Sequence, residues 1–88
     1  MNLDILKKII KTINDILLDL ELSSEQINVD LTSLGMDSIA FIHIIVALEE
    51  NFDIEIPDDK LLLTEMNTVK KIYDVVFEEM NEPTQLKG

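Results

Sequence analysis

The sequence predicts an all-α fold: an antiparallel four-helix bundle of three long helices and one short one, with a long loop between the first and second helices. Three observations carry this. Apolar residues recur at helical spacing in three separate stretches. Glycine and proline are scarce, and Gly35, Pro57, Pro83 and Gly88 all fall where an element would end. One short stretch, Asp-Ile-Glu-Ile-Pro at 53–57, alternates polar and apolar residues. It has no second strand to pair with, so an extended loop is expected there. The 88 residues make one domain, expected over 1–82 with 83–88 as a flexible tail. A domain of this size buries only about 60% of its unfolded surface, so its stability margin is modest.

In the first helix, Leu3, Leu6, Ile9, Ile10, Ile13, Ile16, Leu17 and Leu20 form one stripe, and Asp4, Lys7, Lys8, Lys11, Asn14, Asp15 and Asp19 fill the other face. The helix should run from Leu3 to about Leu20, with Asp4 and Lys8 in the favourable i, i+4 order. From Glu21 to Gly35 the helical stripe stops. Ser23, Ser24, Asn28, Asp30, Thr32 and Ser33 read as loop, with Leu22, Ile27, Val29, Leu31 and Leu34 as apolar anchors. The second helix starts at Asp37 or Ser38 and runs to about Phe52. A short helix is expected over Asp58–Leu63. The last helix is capped by Asn67 or Thr68 and runs to about Met80, with Val69, Ile72, Tyr73, Val76, Phe77 and Met80 as its buried stripe.

The second helix has two apolar stripes. Phe41, Ile44, Ile45, Leu48 and Phe52 suit a core; Ile39, Ile42 and Val46 lie on another side. Such a helix either widens the core contact or leaves one stripe for a partner, and periodicity alone leaves both readings open. Charge bears on the choice. From Thr12 to Asp59 there are twelve acids and no lysine or arginine. Acids around an apolar stripe suit a partner with an apolar groove and a basic rim, although a solvated acidic face would look the same. A net charge of −11 excludes nucleic acid as the expected partner, because phosphates must be met by Lys and Arg. With no cysteine, disulfides, thiolate metal sites and cysteine nucleophiles are excluded. No stretch approaches the roughly 20 apolar residues of a bilayer span, and Met1-Asn2-Leu3-Asp4 lacks a signal peptide's basic-then-apolar order, so a cytoplasmic monomer with no membrane insertion is expected.

Leu34-Gly35-Met36-Asp37-Ser38-Ile39 opens the second helix. Gly35 permits a turn, and Asp37 or Ser38 can cap the helix. This run resembles the attachment site of the acyl carrier and peptidyl carrier protein family. The similarity continues through Ala47-Leu48-Glu49-Glu50-Asn51-Phe52-Asp53-Ile54-Glu55-Ile56-Pro57 and again at Asn67-Thr68-Val69. The resemblance implies an acyl-carrier-protein-like fold. It implies a 4′-phosphopantetheine arm esterified to Ser38, donated by coenzyme A through a separate phosphopantetheinyl transferase and carrying acyl or aminoacyl cargo as a thioester. The cofactor would supply the sulfur chemistry that a chain without cysteine lacks. Asp37 is then expected to serve recognition by the transferase. Met36, Ile39, Ile42 and Val46 take partner-facing positions, and Glu49 and Glu50 are candidate ionic contacts to loading and synthase enzymes with basic docking surfaces. Housekeeping fatty-acid carriers usually have acids two and five residues after the serine; Ala40 and His43 stand there instead. Met36 replaces the small residue often found before the aspartate. These departures favour a dedicated polyketide, nonribosomal peptide or related pathway over general fatty-acid synthesis.

Other classes fit less well. One histidine and no arginine leave little for an enzyme, and Ser38 and His43 are too far round a helix to act as nucleophile and base. Glu49-Glu50 and Asp58-Asp59 are adjacent pairs that point apart and make no carboxylate dyad. No EF-hand loop is present, since neither glycine has acidic ligands at the required spacing, and no metal site is expected. The rival of another class is an unmodified adaptor that docks partners through the second helix.

Overall fold

The structure is a computed structural model and describes residues 1–18 and 20–81. Three α-helices form the frame: α1 over Leu3–Ile16, α2 over Ser38–Phe52 and α3 over Val69–Asn81. No strand occurs among the described residues; 54–57 is loop, as expected, while Asp53 ends α2 in a left-handed turn at φ 54°. α1 packs against both α2 and α3. The expected short helix is instead two separate 3-10 turns, Asp58–Lys60 and Leu63–Glu65. Neither turn has a side-chain cap, and each is too short to offset the cost of nucleating an α-helix. The molecule is therefore a three-helix frame with 3-10 connections. The expected tail at 83–88 lies outside the described residues.

Each α-helix starts on a side-chain cap. Asn2 Oδ1 accepts from the N–H groups of Asp4 and Ile5, Asp37 Oδ1 from Ala40, and Thr68 Oγ1 from Lys71. α1 ends four residues earlier than expected. Leu17 leaves the helical backbone at φ −94°, ψ 80°. Beyond it, the Asn14 side chain holds both backbone groups of Leu22, accepting from its N–H at 2.9 Å and donating to its carbonyl at 3.3 Å. That clamp needs the chain to turn back on α1, which a helix continued to Leu20 would prevent. The expected Asp4–Lys8 pair does not form. Lys8 lies over the Phe52 ring at 5.5 Å, and the exposed i, i+4 pair on α1 is Lys11–Asp15.

The core collects Leu6, Ile9 and Ile13 from α1, Leu22, Leu31 and Met36 from the long loop, Phe41, Ile44, Ile45 and Leu48 from α2, Ile56 and Met66 from the second connection, and Val69, Ile72, Tyr73 and Val76 from α3. Of the expected loop anchors, Leu22 and Leu31 are buried, Ile27 and Val29 are half-buried, and Leu34 is exposed. Phe77 and Met80 are 41% exposed, where the sequence placed them inside. Glu79 takes the inward position instead. Its carboxylate meets Lys60 Nζ at 3.4 Å, and Lys60 also pairs with Glu78. The hydrogen bond to Glu78 holds the Lys60 ammonium above its ordinary pKa. Lys60 thus fastens the connection after α2 to the last turns of α3.

Candidate functional site

The approach to α2 is built by four successive local devices. Asp30 opens a 3-10 turn over Leu31–Leu34, its Oδ1 accepting from the Thr32 N–H at 3.0 Å and the Thr32 hydroxyl at 2.6 Å. Those two donors, the hydroxyl foremost, lower the pKa of the Asp30 carboxyl. Gly35 follows at φ 110°, a backbone conformation open to glycine and strained for other residues. Its N–H reaches the Thr32 carbonyl, and the N–H of Met36 reaches the Leu31 carbonyl at 3.0 Å. This reversal drives the Met36 side chain into the core, where it is 2% exposed. The expectation that Met36 faces partners is therefore corrected: Met36 is the inward anchor of the turn. Asp37 then caps α2, and Ser38 is the first helical residue.

Ser38 is exposed, and its hydroxyl makes no hydrogen bond among the described residues. Asp37 takes the Ala40 N–H, and the Phe41 N–H reaches the Asp37 carbonyl. The N–H groups of Ser38 and Ile39, which have no helical acceptor ahead of them, make no hydrogen bond among the described residues. Among the described residues no side chain hydrogen-bonds the Ser38 hydroxyl as a base would. A phosphoester on Ser38 Oγ fits this setting: the oxygen is accessible, and the open helix N-terminus favours an anion there.

α2 divides its two apolar stripes sharply. Phe41, Ile44, Ile45 and Leu48 are at most 2% exposed, while Ile39, Ile42 and Val46 are 68%, 48% and 46% exposed. Ser38, His43 and Glu50 are also exposed. Glu49, expected as an ionic contact, also has a partner within the chain. It is half-buried, and its Oε2 accepts from the Ile56 N–H at 2.9 Å, tying the loop after α2 back to the helix. Sequence reasoning missed that role because the partner is a backbone group seven residues on. Between Ser38 and Glu49, the exposed side of α2 carries no acid. Among the described residues no group of acids or histidines is placed to hold a metal ion, and no helix is long and apolar enough to cross a membrane.

Comparison with known proteins bears on this serine. The chain matches the phosphopantetheine attachment site family over residues 4–76. It is 40% identical over 61 residues to an acyl carrier protein of Syntrophobacter fumaroxidans, covering 69% of this chain and 72% of that one. It is 32% identical over 61 residues to an acyl carrier protein homolog of Ureaplasma parvum serovar 3, covering 67% of this chain and 73% of that one. A shorter match, 46% identical over 43 residues, joins it to an acyl carrier protein of Buchnera aphidicola, covering 49% of this chain and 51% of that one. No solved structure matches the chain. Proteins of this family receive their prosthetic group from a phosphopantetheinyl transferase and present its cargo to synthase enzymes. On these matches the chain belongs to the acyl carrier protein family, whose members are carriers of covalently attached 4′-phosphopantetheine and not enzymes.

Proposed function

We propose that Ser38 is the attachment residue, and that the chain carries acyl or aminoacyl intermediates for a dedicated biosynthetic pathway rather than general fatty-acid synthesis. The observation that carries the attachment reading is the exposed Ser38 hydroxyl at the first position of α2, beside two open N–H groups. When bound, the phosphopantetheine arm supplies a thiol for thioester chemistry. The chain's own residues do the rest. Gly35 and Met36 set the turn, Asp37 holds the first helical turn, and Ser38 Oγ forms the phosphoester. Asp37 sits one residue from that oxygen with its carboxylate already capping the helix, so its recognition by the transferase would be through the turn it holds as well as its charge.

Ile39, Ile42 and Val46 form the proposed docking stripe, with Glu50 at its far end. Glu49 is the second proposed ionic contact, its Oε2 also holding the Ile56 N–H. The dedicated-pathway reading rests on the face between Ser38 and Glu49, where Ala40 and His43 leave no carboxylate for a basic enzyme surface. Such a face fits a partner whose groove is apolar at its centre and basic at its ends. The proposed setting is a cytoplasmic monomer.

Intact mass before and after incubation with coenzyme A and a broad-specificity phosphopantetheinyl transferase tests the attachment. Wild type should gain one phosphopantetheine and Ser38→Ala none, with both folded by circular dichroism. Modification of Ser38→Ala would move the site elsewhere. A folded wild type that was unmodified at the start and gains nothing would favour the unmodified adaptor. Efficient malonyl loading and elongation of the modified protein by fatty-acid synthesis enzymes would reverse the choice of pathway.

A further inference from the structure

One groove of about 350 Å³ lies away from α2, between α1 and the start of the first loop, with Ile10 and Leu22 as its floor and Lys7, Lys11, Ser23 and Ser24 on its rim. Its size is at the lower end for small-molecule sites. The floor is apolar and firmly held: Ile10 and Leu22 are 8% and 6% exposed, and the Asn14 side chain pins both backbone groups of Leu22. The groove is therefore a standing feature of the fold.

Its rim is unusual for a chain of net charge −11. The other described lysines are all engaged: Lys8 on the Phe52 ring, Lys11 with Asp15, Lys60 with Glu78 and Glu79, Lys70 with Asp74 and Lys71 with Asn67. Lys7 has no ion pair, hydrogen bond or ring contact among the described residues. The Ser24 N–H and hydroxyl also make no hydrogen bond there. Free donors and one unneutralised cation thus face an apolar floor without aromatic rings.

We propose that this groove binds an aliphatic carboxylate noncovalently, its carboxylate on Lys7 and Ser24 and its chain over Ile10 and Leu22. The chemistry narrows the ligand. An aliphatic amine would meet Lys7 as a like charge. A phosphate, with two charges, would be only half matched by the Lys7 ammonium, because Lys11 is already shared with Asp15. A monoanion matches the one free ammonium, and an unbranched chain suits walls made of isoleucine and leucine. The site uses nothing of Ser38 or the α2 stripe, so it stands apart from the carrier role and would let the protein hold a free acid beside its covalent cargo.

The test is an amide NMR titration of the full chain with octanoate, and with octylamine and octanol as matched probes. Octanoate should give saturable shifts at Ile10, Leu22 and Ser24, with Kd about 1–10 mM, the range that some ten heavy atoms reach. Octylamine should not saturate, and octanol should bind more weakly than octanoate. Lys7→Gln should weaken octanoate about threefold to fivefold, the size of one exposed charge contact, and Lys7→Arg should restore it. Ser38→Ala should bind as wild type does. Shifts centred on Ile39, Ile42 and Val46, equal binding of octylamine, equal affinity in Lys7→Gln, or no saturation would each overturn the proposal. So would an acidic peptide that saturates the groove where octanoate does not. Because Lys7 is exposed and makes no ion pair, hydrogen bond or ring contact among the described residues, a folding defect in its variants is not expected, and the spectra report it directly.

Discussion

Gly35 and Asp30 set the entry to the site, and each acts through a different physical property. Gly35 acts through backbone freedom, at φ 110° with open space where a side chain would stand, so any replacement suffers from torsion rather than collision. Asp30 acts through charge. Its carboxylate is favoured in the folded state by two donors from Thr32, so its pKa is depressed below the ordinary 3.8. A depressed carboxyl contributes stability that is present above its unfolded value and lost as pH falls through its folded value. Chemical denaturation of wild type and Asp30→Asn should therefore show wild type more stable at pH 7, and the gap should close progressively below about pH 4. A gap that persists unchanged to low pH would mean that Asp30 acts through its shape and not its charge. The proposed serine was legible at this scale because glycine, aspartate and serine each carry a local rule. Met36 was not. Its inward direction follows from the left-handed turn at Gly35, and no periodicity reaches a residue that lies outside a helix.

At the scale of elements, the division of α2 was readable in the sequence because its two apolar stripes follow helical spacing over fifteen residues. What the sequence left open was which stripe the rest of the chain would cover, and α1 covers that of Phe41, Ile44, Ile45 and Leu48. The last helix was read less well. Phe77 and Met80 share the spacing of its buried residues, yet the inward place near its end goes to Glu79, which Lys60 meets from the second connection. A lysine nineteen residues away gives no sequence signal for that burial. The short connection was misread for a related reason: acids after Pro57 suggest a helix start, but two 3-10 turns form where no cap and no long stripe sustain one. The division of α2 predicts opposite outcomes for two similar truncations. Leu48→Ala, at 0% exposure, should cost about 2–5 kcal/mol, a large share of a small domain's stability. Ile42→Ala, at 48% exposure, should cost about 0.5 kcal/mol or less. Urea denaturation measures both. In transferase assays the order should reverse: Ile42→Ala should stay folded but lose kcat/KM for phosphopantetheine attachment. A large stability loss in Ile42→Ala would assign that stripe to packing instead of docking.

Over the whole molecule, charge is segregated more strongly than the net value conveys. Twelve acids lie between Thr12 and Asp59 with no cation among them, while three lysines stand on α1 and two at the start of α3. Ser38 and the exposed stripe fall inside that acidic stretch, so a partner with the proposed basic rim would be attracted before it touches the apolar residues. Such attraction acts over the screening length, which falls from about 30 Å at 0.01 M salt to about 8 Å at 0.15 M. It changes the rate of encounter and leaves the chemistry of an already formed complex alone. Phosphopantetheine attachment by a transferase with a basic docking surface should therefore lose about tenfold in kcat/KM across that range, with the loss in KM and little change in kcat. Glu50→Gln should lower the salt sensitivity slightly, because it removes one of many charges, while Ile42→Ala should leave the salt slope intact and lower the whole line. If kcat/KM proves independent of salt, the acidic belt serves solubility alone, and recognition rests on the apolar stripe and the turn that presents Ser38.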